Sequence, residues 1–179
     1  MILSDSELVE MLREPRTRRE GFAVMVKQYS EKLYWKVRRI VLSHEDANDV
    51  LQNVFIKVWS NLQNFQGKSS LSTWLYRIAV NESLDFLRKQ KLADKVSTDE
   101  DDSVASRLMS DEYFDGDEVQ TRLQEAVARL PEVQRTVFNL KYFEEMKYSE
   151  ISQILNTSEG ALKASYHLAV KKITEYLHL

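Results

Sequence analysis

A chain of 179 residues with 43% hydrophobic content can bury one modest core or two very small ones. Four Gly and two Pro leave little material for turns, while Leu, Lys, Glu, Gln, Arg and Ala are plentiful, so an all-α fold is expected. The absence of Cys excludes disulfides, thiol catalysis and thiolate metal sites, and three scattered His form no metal-ligand pattern, so neither a metal nor another cofactor is expected.

The net charge of −3 is distributed unevenly. Residues 1–92 carry 15 Lys/Arg against 11 Asp/Glu, residues 93–118 carry 2 against 10, and residues 119–179 carry 8 against 7. The acid gathers in Asp99-Glu100-Asp101-Asp102, Asp111-Glu112 and Asp115-Gly116-Asp117-Glu118, a stretch without apolar periodicity that reads as a solvated tether between two folded parts. Apolar runs are only a few residues long, so no membrane insertion is expected. The acidic opening Met1–Glu7 runs directly into a helical pattern and does not read as a signal peptide, which makes a cytoplasmic location the expectation.

Ser4 and Glu7 form a capping-box pattern for a helix ending near Arg13, before Pro15. Phe22, Met25, Val26, Tyr29, Leu33, Val37, Ile40 and Val41 then recur at three- and four-residue spacing, predicting a helix over residues 19–42. Ser43 offers the next N-cap, and Val50, Leu51, Val54, Phe55, Val58 and Leu62 give the following helix its buried side, so the two pair antiparallel. Asp46, Asp49, Gln52, Asn53 and Lys57 fall on the other side of that helix, as a solvated or a docking face.

Gln66-Gly67-Lys68-Ser69-Ser70 is a polar, basic loop able to approach phosphates closely. Ser70 or Ser72 can cap the helix that follows, which runs from Trp74 through Lys89 and allows an Asp85–Arg88 pair. Trp74, Tyr76, Arg77, Asn81, Arg88, Lys89 and Lys91 interleave aromatics with cations, a combination suited to unpaired nucleic acid. Burial of Trp74 in the core is the alternative reading.

Beyond the acidic stretch, residues 120–130 form a helix with Leu123, Val127 and Leu130 inward, and Pro131 is expected as the first residue of the next. Ser149–Leu155, Asn156-Thr157-Ser158 and Glu159–Lys163 then read as helix, turn, helix, with Asn156 as a left-handed C-cap and Ser158 as an N-cap. That geometry presents its second helix to a duplex major groove. Leu162, Tyr166, Ala169, Ile173 and Leu177 mark its inward stripe; Lys163, His167 and Lys171 lie outward. A plain helical hairpin with solvated lysines is the alternative.

Together these segments resemble the extracytoplasmic-function (group IV) sigma factors of bacterial RNA polymerase. The resemblance rests on Asp46–Trp59, on Leu71–Asn81, and on Leu130-Pro131-Glu132-Val133-Gln134-Arg135 through the helix-turn-helix. It implies a promoter-specificity subunit rather than an enzyme, with residues 1–92 as a region-2-like domain, 93–118 as a linker and 119–179 as a region-4-like domain. Asp46, Asp49, Gln52, Asn53 and Phe55 would then dock on the clamp coiled coil of core polymerase. Asn64, Gln66, Lys68, Ser69, Trp74, Tyr76, Arg77, Asn81 and Arg88 would serve the −10 element, including capture of a flipped base. Ser158, Lys163, Tyr166, His167 and Lys171 would serve the −35 duplex.

Many members of that family carry arginines on the recognition helix where this chain has Ser165, Leu168 and Val170, so that either the direct −35 contacts rest on Lys163, Tyr166, His167 and Lys171 or the duplex affinity is low. The family often uses an anti-sigma partner that holds both domains. The tether, extended, reaches ~90 Å, more than two duplex turns of ~34 Å, and its carboxylates imitate a phosphate chain in a basic channel. A stand-alone helix-turn-helix regulator and a two-metal enzyme built on Asp99–Asp102 or Asp111–Asp117 are the competing classes; the second needs ligands on rigid elements, and these lie in the tether.

Overall fold

In the computed structural model, residues 2–93 and 118–178 are described. The acidic clusters at Asp99–Asp102, Asp111-Glu112 and Asp115–Asp117, and with them the expectation of a tether, lie outside the described residues. Those described are α-helical with no strand, as the composition predicted. Among the described residues there are eight α-helices: α1 Asp5–Arg13, α2 Arg18–Val41, α3 His44–Asn61, α4 Leu71–Ala93, α5 Glu118–Ala128, α6 Glu132–Phe138, α7 Tyr148–Leu155 and α8 Glu159–Leu177. They divide into two compact units, one of Met1–Arg38 and Glu45–Gln90, the other of Arg39–His44 and Lys91–Leu179. No helix among the described residues is long and apolar enough to cross a membrane.

In the first unit the Ser4 hydroxyl accepts from the Glu7 amide while the Glu7 carboxylate accepts from the Ser4 amide at 2.8 Å, the reciprocal box expected. The Ser4 hydroxyl, which donates to the Glu7 carboxylate at 2.7 Å, and then the Ser4 amide hold the Glu7 carboxyl below its usual pKa. Gln28 clamps the backbone of Leu3 through both its amide atoms, at 3.1 and 2.9 Å, and the Tyr29 phenol donates to Asp5. Gly21 lets α2 cross α1 closely, because a Cβ there would stand 2.7 Å from the Met11 Cβ.

Helices α2 and α3 pair antiparallel: Phe22, near the start of α2, meets Phe55 and Trp59, near the end of α3, with ring centroids 6.4 and 4.9 Å apart. Helix α4 joins them through the Lys57–Glu82 ion pair and through Lys36, whose ammonium sits 3.9 Å from the Tyr76 ring centroid. Met25, Leu33, Val37, Val50, Val54, Val58, Leu71 and Leu75 fill the core between these helices.

In the second unit α8 is the central element, packed by α5, α6 and α7. Ala126, Val127 and Leu130 meet Phe138, Ala169 and Ile173 in its core. Pro131 occupies the N-cap, with φ −52° and ψ 144°, and α6 begins at Glu132. The proline therefore precedes the helix by one residue relative to expectation, a position at which its missing N–H is equally harmless. Helix α6 continues into a π-helical turn over Asn139–Phe143 that the periodicity did not signal. Asn156 adopts the left-handed conformation, with φ 49° and ψ 47°, and the Ser158 hydroxyl accepts from the Ala161 amide at 3.3 Å, so the turn between α7 and α8 is capped as expected.

Candidate polymerase and nucleic-acid interfaces

The outer face of α3 follows from its buried stripe. Ala47, Val50, Val54 and Val58 point inward, which leaves Asp49, Gln52 and Asn53 exposed together within about one turn. Asp46, a turn earlier, is half-buried, and Phe55 turns its half-buried ring toward Phe22. Lys57, which shared the polar side of the wheel in the sequence, is tied across to Glu82 on α4. The sequence reading missed Ile56. It is 63% exposed amid the polar residues, with Trp59 at 40% beside it. The available signal was that Ile56 falls outside the Val50-Val54-Val58 stripe.

After α3 a 3-10 turn over Leu62–Asn64 leads into the polar loop. The Asn64 amide donates to Asn61 at 3.3 Å, and Gln66 and Lys68 are exposed while Ser69 is half-buried. Gly67, at φ 71°, takes the left-handed conformation that glycine adopts without strain. Of the two serines that could cap α4, Ser70 does so, its hydroxyl accepting from the Thr73 amide at 3.2 Å. Phe65, which the sequence did not single out, lays its ring against Trp74 with centroids 5.1 Å apart and planes at 52°. Trp74 is thus neither a fully buried core residue nor a free platform: it is half-buried.

Helical spacing sets Trp74, Arg77, Asn81 and Arg88 along one side of α4. Arg77 is half-buried, Asn81 and Arg88 are exposed, and Arg88 pairs with Asp85 at 2.8 Å. Tyr76 does not join them. It lies on the other side under Lys36, and burial followed by the charge of Asp5 raises its phenol above the ordinary pKa.

On α8 the candidate residues likewise separate. Lys163, His167 and Lys171 are exposed, with Lys163 5.6 Å from the Tyr148 ring centroid and Lys171 4.0 Å from Glu175. Ser158 is engaged as the N-cap. Tyr166 is half-buried against the core: it stacks on Phe138 at 5.7 Å and 15°, and burial first, then the neighbouring Tyr148 and Tyr142, raises its pKa. Gly160, Ala161, Ala164, Leu168 and Val170 are exposed on the same helix, Leu168 at 48%, as are Glu159, Lys172 and Glu175. That surface is small and apolar between its lysines.

Comparison with known proteins places these features in a family. Residues 25–93 match the model for Sigma-70 region 2, and residues 120–173 match that for Sigma-70, region 4. The ECF RNA polymerase sigma factor SigW of Bacillus subtilis (strain 168) is 33% identical over 157 residues, covering 83% of this chain and 84% of that protein. The RNA polymerase sigma-H factor of Pseudomonas aeruginosa is 31% identical, covering 97% of this chain and 93% of its own length. Among solved structures, the sigma factor RpoE in its complex with the anti-sigma factor NepR from Bartonella quintana shares the fold, with a TM-score of 0.67 at 20% identity over 89% of this chain and 98% of that one.

Proposed function

We propose, from the premise that this chain belongs to the extracytoplasmic-function family of RNA polymerase sigma factors and is a promoter-recognition subunit of that enzyme, a division of labour along it. Residues 1–92 bind the polymerase clamp and the −10 element, 93–118 form the linker, and 119–179 read the −35 duplex. Asp49, Gln52 and Asn53, joined by Asp46, Phe55 and the exposed Ile56, dock on the clamp's coiled coil. The polar loop with Trp74, Arg77, Asn81 and Arg88 receives a base flipped from the −10 element. Lys163, His167 and Lys171 contact the −35 backbone or base edges.

The observation that carries the reading is the grouping around the loop: a polar loop from Gln66 to Ser70, an aromatic pair Phe65–Trp74 flanking it, and Arg77 and Asn81 on the adjoining side of α4. Flipping a base costs a few kcal/mol of stacking and pairing, and stacking on an aromatic returns about 1–3 kcal/mol per base. Base capture can thereby help hold an opened strand without nucleotide hydrolysis. The subunit performs no covalent chemistry itself and works in the cytoplasm. An anti-sigma partner that clasps both domains fits the exposed apolar residues Ile56, Tyr142 and Leu168.

Reconstituting the chain with core polymerase and sequencing the transcripts it starts tests the reading. The expected result is initiation that core alone lacks, from sites sharing two elements at fixed spacing. Tight binding to duplex DNA without any affinity for core would instead make the chain a stand-alone helix-turn-helix regulator.

A further inference from the structure

The corner between α1 and α2 lies outside the residues that match region 2, yet it is rigidly built and strongly basic. Four arginines and one glutamate occur between residues 13 and 19. One of the four is structural: Arg18 donates through Nε to the Leu12 carbonyl at 3.0 Å and through Nη2 to the Arg13 carbonyl at 3.2 Å. Thr17 adds a hydroxyl bond to the Met11 carbonyl at 2.9 Å, and Gly21 permits the close crossing of α2 over α1. Since Arg18 already serves carbonyls at the end of α1, Arg13 is not needed there as a cap. Its guanidinium extends instead to the polar loop, where a Cβ on Gly67 would stand 3.3 Å from its Nη2.

Arg13, Arg16 and Lys68 are all exposed, and none forms an ion pair among the described residues. Arg16 is three residues from Arg13, at most ~11 Å of chain. The Arg13 guanidinium beside the glycine loop, with the exposed Arg16 three residues on in a corner braced by three separate devices, forms a site for adjacent phosphates. A solvated basic turn would need neither the bracing nor the approach to the loop.

We infer that Arg13 and Arg16 bind the sugar–phosphate backbone of the unpaired DNA strand next to the captured base, making the α1–α2 corner a second wall of the −10 site. The inference rests on the reading of residues 65–70 as the base-capture loop. The arginines hold the strand while the loop and Trp74 select the base. The cations add affinity independent of sequence, and the loop supplies discrimination.

The test uses holoenzyme assembled from the full chain and core polymerase, with fork DNA whose −10 non-template strand is unpaired. Affinity is measured from 50 to 200 mM salt for the native chain, for R13A/R16A and for R13K/R16K, and core affinity is followed in parallel. Removing one cation from a single-strand phosphate flattens the logarithmic salt slope by about 0.7, so removing two makes the native affinity fall about sevenfold further across this range than that of R13A/R16A. R13K/R16K should recover most of the slope, because a phosphate accepts a point charge, and core affinity should be the same for all three. A native slope in R13A/R16A, on DNA whose binding still weakens when one −10 base is made abasic, overturns the inference alone. Native holoenzyme indifferent to an abasic site at every −10 position overturns the base-capture reading and the inference with it.

Discussion

Substituting Gly21 by Ala perturbs the contact that sets the position of α1. The added Cβ would lie 2.7 Å from the Met11 Cβ, 3.3 Å from the Met11 carbonyl carbon and 3.4 Å from the Leu12 amide nitrogen. None of these atoms is the free end of a flexible side chain, so the helices must move apart. Overpacking of this kind costs about 1–3 kcal/mol, against a gain of about 0.8–1.0 kcal/mol from replacing Gly by Ala within a helix, leaving a net destabilisation of up to about 2 kcal/mol. Gly160, on α8, supplies the control, because a Cβ there meets nothing within 4 Å; G160A should gain up to about 1 kcal/mol. The assay is urea unfolding followed by Trp fluorescence, since Trp35, Trp59 and Trp74 all lie in the first unit, with circular dichroism reporting both units. A Trp transition in G21A at or above the native midpoint would refute the steric argument.

D49A and I56D should each weaken core polymerase binding severalfold in a pull-down while leaving the Trp unfolding midpoint within about 0.5 kcal/mol of native, as expected at exposed positions; native affinity in both would remove α3 from the docking surface. K163A should reduce protection of the −35 element in a footprint of the holoenzyme more than that of the −10 element, and an equal reduction at both would refute its assignment to the upstream duplex. Burial first, then the hydrogen bond to Asp5, raises the Tyr29 phenol well above its ordinary value of 10.0. The unfolded chain therefore loses this proton at lower pH than the folded one, so the contribution is whole below about pH 10 and is lost as pH rises above it. Stability of the first unit should fall between pH 9 and 11 less steeply in Y29F than in the native chain, and parallel curves would show that this phenol is not the source.

What the sequence made legible was local. The Ser4–Glu7 box, the Val50-Val54-Val58 stripe, the Asp85–Arg88 pair and the Asn156–Ser158 turn each depend on residues within a few positions of one another, where helical periodicity and capping chemistry decide the outcome. Contacts between distant segments could not be read this way. Nothing in the spacing of Lys57 and Glu82 announces an ion pair across two helices, and the approach of Arg13 to Gly67 requires the crossing of α1 and α2 to be known first. Tyr166 shows a second limit. The same side chain belongs to the inward stripe of α8 and to the candidate DNA contacts, and spacing alone does not show that it lies half-buried, stacked on Phe138. The motif matches were specific enough to name the family, but they did not distinguish Tyr76 from its neighbours, because a motif fixes order along the chain and not the side of the helix.

The charge on the two parts proposed to face DNA bears on how the subunit would work. On α8, Lys171 stands near Glu175 and the first turn carries Glu159, which leaves Lys163 and Lys172 as the helix's lysines outside an ion pair among the described residues, and with so few cations to release counterions from the duplex, affinity of the second unit alone for a −35 element should be low. The polar loop and the α1–α2 corner are by contrast cationic, with Lys68, Arg13 and Arg16 unpaired among the described residues. Two weak readers on one chain become effective when one is anchored, since the other then searches at an effective concentration in the millimolar range. Polymerase docking through α3 would supply that anchor, and a recognition helix poor in arginine would keep the free chain from occupying duplex DNA without it.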